Sequence, residues 1–476
     1  MGNLENSNFN HFVRYSVTLR VVVIGILALL LLIPVGMVRS VIAERDYTRQ
    51  NAIAEISQKW GEEQTVAGPV LSIPYTKFYT NEKEQRVSVT EYAHFLPDEL
   101  VVAGNVDPEI RSRGIFDAVV YRSDLQFSGR FEKPDMDALG IDTAYVNWED
   151  AFVSVGIPDM RGIKNEVALA WNGVEHKFKP GVETDDVLRG GSSLLRIPSM
   201  KSYDGRIYHD PYYEAELAMM GENESSGISV PVSITGNGTE GYSFAFDLSL
   251  NGSQSLQYVP LGRTTKIELS SPWGTPSFGG AFLPEEHEVT TEKFSASWEI
   301  LDLNRNYPQS WIGNKYNVYS SAFGVNLLIP VDEYQKSTRS AKYALLIITL
   351  TFMMFFFSEI FNKKRVHPIQ YLLVGLALTL FYSLLISISE VFGFDLAYGI
   401  SAAATIGLIT VYSKAILPTS RMVYFQGLIL AFLYLFVYTI LQLEDYALLA
   451  GSIGLFVILS TVMYLSRKID WYAVGE

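Results

Sequence analysis

Stretches long and apolar enough to cross a bilayer occupy both ends of this 476-residue chain, so the polar residues 46–338 between them must fold outside the hydrocarbon. The first stretch, VVVIGILALLLLIPVGMV, covers residues 21–38. At 1.5 Å of helix rise per residue it is roughly 27 Å long, close to the hydrocarbon thickness. It is longer than the apolar core of a usual signal peptide, and VRSVIAERDYTRQ follows it where a small-residue cleavage site would stand. Retention as an anchor is therefore expected. Five more stretches follow at residues 341–358, 369–389, 396–412, 422–441 and 446–465. Their short connections predict antiparallel, closely packed neighbours.

Basic residues in the connections set the orientation. Lys363, Lys364 and Arg365 lie between the first and second of the five, Lys414 and Arg421 between the third and fourth, and Arg467 and Lys468 after the last. The alternate connections hold Glu390 and Asp395, then Glu444 and Asp445, without Lys or Arg. All basic clusters fall on one side, taken as cytoplasmic, which places both termini inside and residues 46–338 outside. Arg39 and Arg45, just beyond the first span, are a mild counter-signal.

Residues 46–338 hold 24 of the 37 basic and 42 of the 51 acidic side chains, a formal charge of −18. Such a body repels nucleic acid and anionic headgroups, so nucleic-acid binding is excluded as a function class. The chain has no cysteine, which removes thiolate catalysis, Cys-ligated zinc and iron–sulfur clusters. A domain of this size buries a sufficient core without disulfides.

Residues 39–60 read as a helix leaving the membrane, with Val38, Val41, Ile42, Ala52, Ile53 and Ile56 in partial helical register and Gly61 as the stop. Beyond it the pattern turns to β. Extended segments near VAGPVLSIPYTKFY are expected to break at Gly68-Pro69 and Pro74, and RVSVTEYAHFL, FDAVVYRSDLQFSGRF, ISVPVSITG, SFAFDLSLNGS, LQYVPLG, TKIELSS and FSASWEI read as strands. Asn172-Gly173, Asn237-Gly238 and Asn251-Gly252 are expected turns. DPYYEAELAMMG is one short helix candidate, a weak boundary falls at residues 183–193, and VNLLIPVDEY is the last expected strand. The fold expected is a mostly antiparallel β architecture, a sandwich or two packed β subdomains.

Candidate chemistry is sparse. His94, His176, His209 and His287 form no close metal-ligand pattern, and the spacing from His209 to Glu214 fits a metal site no better than a polar turn. Carboxylate pairs such as Asp185–Asp186 and Glu285–Glu286 follow from abundance, and the Gly191 segment GSSLLRIPS lacks a nucleophile elbow. SSPWGTPSFGGAFLP reads as an ordered loop whose Trp273 and Phe278 offer an aromatic binding surface. Within the spans, Tyr382, Ser383, Ser387, Ser389, Thr405, Thr410 and Tyr412 suit helix-to-helix hydrogen bonds better than a transport path. No catalytic residue, cofactor or metal is expected.

Two blocks then point to a family: IPVGMVRSVIAERDYTRQNAIAEISQKWGEEQTVAGPVLSIPY at residues 33–75, and HPIQYLLVGLALTLFYSLLISISEVFGFDLAYGISA at residues 367–402. Through these blocks the chain resembles the CreD family of bacterial inner-membrane cell envelope integrity proteins over essentially its whole length. The resemblance implies a Gram-negative inner-membrane protein linked to envelope integrity, stress tolerance, the CreBC regulon and colicin tolerance, with no established catalytic residues. The organisation expected is a cytoplasmic N-terminus at 1–20, a transmembrane anchor at 21–38 and a juxtamembrane helix at 39–60. A β-rich periplasmic domain at 61–338, a five-helix bundle at 341–465 and a cytoplasmic tail at 466–476 follow. Expected coupling or interface residues are Arg45, Arg49, Trp60, Trp273, Phe278, His367 and Glu390, in a non-enzymatic protein. The expected partners are the bilayer and a periplasmic protein, lipid or glycan. A lipid- or small-molecule-handling transporter or enzyme is the rival class. No oligomeric state follows from the sequence.

Overall fold

The computed structural model describes residues 17–80, 84–188, 226–234, 241–327, 329, 333–362, 365–417, 419–443 and 446–467. The chain divides into two compact units, Met1–Gln50 with Val331–Glu476, and Asn51–Pro330. Several expectations fall outside the described residues: the DPYYEAELAMMG helix with His209 and Glu214, the Gly191 segment, residues 189–193 of the 183–193 boundary and the Asn237-Gly238 turn. So do the loop charges Lys363, Lys364, Glu444, Asp445 and Lys468.

The first unit is helical. Helix α1 (Val17–Leu30) and helix α2 (Leu32–Trp60) are separated only at Leu31. Pro34 has no N–H to give to the carbonyl four residues back, which accounts for the local break. The helical ladder resumes at once, with Val35 N donating to Leu31 O at 3.3 Å. α2 then runs unbroken to Trp60, where Gly61 N closes onto Ser57 O at 2.8 Å. After the β unit come α3 (Glu333–Lys342), α4 (Ala344–Asn362), α5 (Pro368–Phe392), α6 (Phe394–Ile416), α7 (Ser420–Gln442) and α8 (Ala447–Ser466). Six helical stretches in the described residues are long and apolar enough to cross a membrane. The last of them, in α8, buries none of its length inside the protein.

Helix α3 corrects one expectation. The strand foreseen in VNLLIPVDEY ends at Leu327, and Glu333–Lys342 is helical. Its buried face consists of Tyr334, Ser337, Ser340 and Ala341 at helical spacing, a polar set that an apolar-periodicity reading passes over. The span hydroxyls correct another. Ser387, Ser389 and Ser413 donate to carbonyls of their own helices, those of Ser383, Ile386 and Ile409. Tyr398 Oη does cross between helices, donating to Tyr434 O at 2.8 Å.

The second unit is a pair of sheets. One contains β1 (Gln64–Thr80), β2 (Arg86–Phe95), β5 (Phe152–Gly156), β8 (Lys179–Pro180), β9 (Gly227–Pro231), β11 (Ser255–Tyr258), β13 (Pro276–Gly280), β16 (Ser310–Ile312) and β17 (Phe323–Leu327). Its order is β13-β17-β11-β1-β5-β9-β8, with β2 on β1 and β16 on β2. The other contains β3 (Glu99–Arg113), β4 (Phe116–Phe131), β6 (Ala168–Trp171), β7 (Val174–Lys177), β10 (Tyr242–Ser253), β12 (Thr264–Ser271), β14 (Glu286–Val289) and β15 (Phe294–Leu301), in the order β14-β15-β12-β3-β4-β10-β6-β7. The ladders β1–β11 and β12–β3 are parallel and the remaining described ladders are antiparallel, so the sheets are mixed. Alternating inward residues of both sheets, among them Leu71, Val153, Leu125, Phe246, Ile267 and Trp298, join one contiguous apolar core. The unit is one body, which settles the choice between one and two β subdomains.

Proline placement explains where strand prediction failed. β1 does not break at Gly68-Pro69, because the missing Pro69 donor falls where the β1–β5 register shifts between Ala67 and Val70. β3 went unforeseen because it contains Pro108. The parallel ladder to β12 ends at Asn105, whereas pairing with β4 continues to Arg113. Pro108 therefore sits where β3 is an edge strand and needs no second partner. The Asn172-Gly173 pair makes the expected two-residue turn between β6 and β7. Asn251-Gly252 does not turn: both residues lie inside β10, opposite Arg122 and Tyr121. The break comes at Gln254, with φ of 60°, where the chain passes from β10 to β11 in the other sheet.

Candidate functional site

In the helical unit three of the expected residues meet. Arg45 of α2 approaches Glu390 of α5, Nε to Oε1 at 3.4 Å, and Tyr334 of α3 donates its hydroxyl to the same oxygen at 3.0 Å. Arg49 pairs with Asp46 at 3.1 Å, and its guanidinium carbon lies 5.4 Å from the centre of the Tyr334 ring. Asp46 and Tyr334 are buried. Burial first, and the Glu390 carboxylate second, push the Tyr334 phenol well above its ordinary value. Glu390, expected at the surface, is mostly covered, with 9% of its side chain exposed. The counter-signal residues also find their explanation here. Arg39 donates to Ala341 O at 2.8 Å and Arg45 pairs with Glu390, so neither is a free loop charge.

The other expected residues lie elsewhere. His367 caps α5: its Nδ1 accepts from Ile369 N at 3.3 Å, while its own N–H donates to Gln370 Oε1 at 2.9 Å, ahead of Pro368 in the first turn. Trp60 belongs to the β unit. Its Nε1 donates to Tyr121 O at 3.1 Å, and Arg111 covers its ring at 3.8 Å. Trp273 and Phe278 are half-buried and packed against the core. Phe278 sits on strand β13, not in a loop, and its ring meets His287, Phe294 and Trp298 edge-on. Their rings close the body of the domain and do not stand free from it.

A feature the sequence reading missed joins β1, β2 and the segment after β8. Ser72 and His94 are direct cross-strand partners, both buried, with Ser72 Oγ 2.9 Å from His94 Nδ1. His94 Nε2 lies 3.2 Å from Asp186 Oδ2. The carboxylate selects the tautomer with the proton on Nε2, so the ring donates to Asp186 and accepts from Ser72. The signal was a lone serine in the apolar run VLSIP and a histidine between apolar neighbours in YAHF. Although the order serine–histidine–aspartate suits nucleophilic catalysis, Ser72 and His94 are 1% and 0% exposed, which leaves no approach for a substrate. The line acts as a tie for residues 184–188.

Asp186 gives this tie a pH dependence. The hydrogen bond to His94 holds its carboxyl below the usual range, against the opposing effect of burial. A depressed folded-state pKa contributes stability that is complete above the unfolded value, about 3.9, and is lost as pH falls through the folded value. Asp186→Asn is expected to cost about 1 kcal/mol at neutral pH by weakening one buried hydrogen bond. The decline of thermal stability below about pH 4 should also become shallower. Thermal unfolding of the detergent-solubilised protein from pH 7 to pH 3 measures both, and an acid limb identical to that of the unsubstituted protein rejects the assignment.

A concavity lies on the outward face of the eight-stranded sheet. This open groove of about 840 Å³ is lined by Asn105, Asp124, Gln126, Glu268, Glu286 and Glu288 among others. Strand register builds it in two rows. Glu286, Ser297, Glu268, Ala103 and Gln126 are successive neighbours across β14, β15, β12, β3 and β4, and so are Glu288, Ser295, Ser270, Asn105 and Asp124. Alternation sends the intervening residues, such as Leu269 and Leu125, into the core. Asp124 accepts from Ser249 Oγ at 2.6 Å. No ion pair reaches Glu268, Glu286 or Glu288 among the described residues. Lys266, at the margin, is paired with Glu299 at 3.4 Å. Sequence reasoning had no access to this surface, since its residues come from five strands and form no local pattern.

Comparison with known proteins agrees with this architecture. A family model described as inner membrane protein CreD matches residues 16–472. The Escherichia coli (strain K12) protein named inner membrane protein CreD is 33% identical over 454 residues, covering 94% of this chain and 91% of that protein.

Proposed function

The chain belongs to the CreD family of inner membrane proteins, and from that premise we propose that it is a non-enzymatic recognition protein supporting envelope integrity and stress tolerance. Its β unit faces the periplasm and binds an envelope component, while both termini lie in the cytoplasm. The observation that carries this reading is the open groove on the outward face of the eight-stranded sheet, whose carboxylates Glu268, Glu286 and Glu288 have no ion-pair partner among the described residues. Unneutralised like charges held together on a folded surface cost stability and suit a ligand that supplies the opposite charge. The orientation rests on Arg365, Lys414, Arg421 and Arg467, which all follow or precede spans on one side.

The test is site-specific photocrosslinking in cells. A photoreactive residue replaces Ser270 or Ser297 inside the groove, or Glu149 elsewhere on the β unit, and captured material is identified by mass spectrometry. The expected result is a discrete species captured from Ser270 and Ser297 and absent from Glu149. Equal capture from all three positions, or none from the groove, removes the groove as the recognition surface.

A further inference from the structure

The groove's dimensions and chemistry narrow what it takes. Five strands cross beneath it, and four interstrand spacings give a floor about 19 Å wide. An extended peptide of about six residues covers that width. Its walls are acidic and its floor is short: alanine and serine at Ala103, Ser270, Ser295 and Ser297 leave room for a chain to lie flat. Among the described residues, the one lining side chain able to carry positive charge is His287, whose ring rests against Phe278. Among the described residues no aromatic ring lines the groove apart from that imidazole, so they present no broad ring face for a sugar to stack on. Its carboxylates repel an anionic headgroup or glycan acid.

We propose that this groove receives an extended basic peptide segment of a partner protein, laid across β14, β15, β12, β3 and β4. The inference rests on the groove being the recognition surface and adds the class of its occupant. Lys or Arg side chains placed along the segment meet Glu286 and Glu288 at one end, Glu268 in the middle and Asp124 at the other. Backbone amides of the segment meet Gln126, Asn105 and the serine hydroxyls. Charge-assisted hydrogen bonds of this kind are strong in pairs and orient a ligand. Their exposure makes association sensitive to salt.

The experiment uses the full chain in nanodiscs of zwitterionic lipid and a fluorescent hexapeptide alternating lysine and serine, with binding followed by anisotropy. In about 50 mM salt, where screening is weak, saturable binding is expected, declining as salt rises. The triple variant Glu268→Gln, Glu286→Gln, Glu288→Gln is expected to weaken it about tenfold or more. A second triple variant, Glu149→Gln, Asp150→Asn, Glu175→Gln, removes the same charge from exposed sites outside the groove. It should change the affinity less than about twofold, as expected for distant charges under screening. Thermal unfolding of both variants at or above the temperature of the unsubstituted protein confirms that fold is preserved. Equal weakening by the two variants, or no binding by the unsubstituted protein, overturns the basic-peptide assignment. In the latter case, lipid or glycan captured by crosslinking from Ser270 leaves the recognition role standing and discards only its occupant.

Discussion

Gly252→Val is expected to unfold the β unit. Gly252 lies within β10 directly opposite Tyr121 of β4, and a Cβ there would fall inside the Tyr121 hydroxyl and against its ring carbon, with Gln64 Cγ 3.0 Å away. Tyr121 cannot yield cheaply. It is completely buried and its hydroxyl donates to Ser255 O at 2.7 Å. Its backbone carbonyl also receives the Trp60 indole. Displacing the ring combines overpacking with an orphaned buried hydroxyl, a cost of about 3 kcal/mol or more. Gly114→Asn supplies the contrast. Gly114 has φ of 64° at the tip between β3 and β4 with nothing within 4 Å of an added Cβ. Asparagine tolerates that backbone at little cost. Thermal unfolding followed by tryptophan fluorescence, with limited proteolysis, should separate the two. A Gly252→Val protein as stable as the Gly114→Asn protein would show that Asn251-Gly252 is a turn after all.

The second large effect is expected in the helical unit, from Arg20→Ala. Arg20 of α1 pairs with Glu359 of α4 at 3.0 Å, and Tyr371 of α5 donates to the second carboxylate oxygen at 3.4 Å. Glu359 is 5% exposed, so removing its cationic partner strands a covered carboxylate, at a cost of about 3 kcal/mol. The double variant Arg20→Met, Glu359→Leu removes both charges and should regain most of that loss, since apolar replacement of a buried pair is often neutral. Denaturation in mixed micelles, together with abundance in membranes, gives the comparison. If the double variant is no more stable than Arg20→Ala, the pair is not the clasp joining these helices.

Much of this architecture is legible because its signals are local. Continuous apolar runs identify α4 to α8 to within a few residues, though not the polar-faced α3, and alternation identifies β4, β10, β12 and β15 with almost their observed limits. Failures come where a tertiary partner decides. Pro108 argues against a strand until the end of the β12 ladder at Asn105 shows that β3 has a free edge there. Asn251-Gly252 has turn chemistry, but a tyrosine across the ladder uses the missing side chain as space. Arg45 and Glu390 were legible as charges at span ends, and only packing shows that they belong to each other. The aromatic loop drew attention because Trp273 and Phe278 are large, while the groove went unseen because its residues are small, polar and scattered over five strands.

The two parallel ladders carry a consequence for biogenesis. β1 finds its partner β11 only through the register Gln64 to Leu256, and β3 finds β12 through Glu99 to Thr264. Both central strands of the early chain thus wait for segments made and exported long afterwards. Closing such distant pairs carries the entropy of a long loop and slows folding. With the β unit on the periplasmic side as proposed, its first half is expected to stay an open apolar sheet, tethered by its anchor helix, until residues near 270 have crossed the membrane. Its exposure to proteases and holding chaperones is set by the pace of translocation, and a pause inserted before β12 should be far more damaging than one after β15.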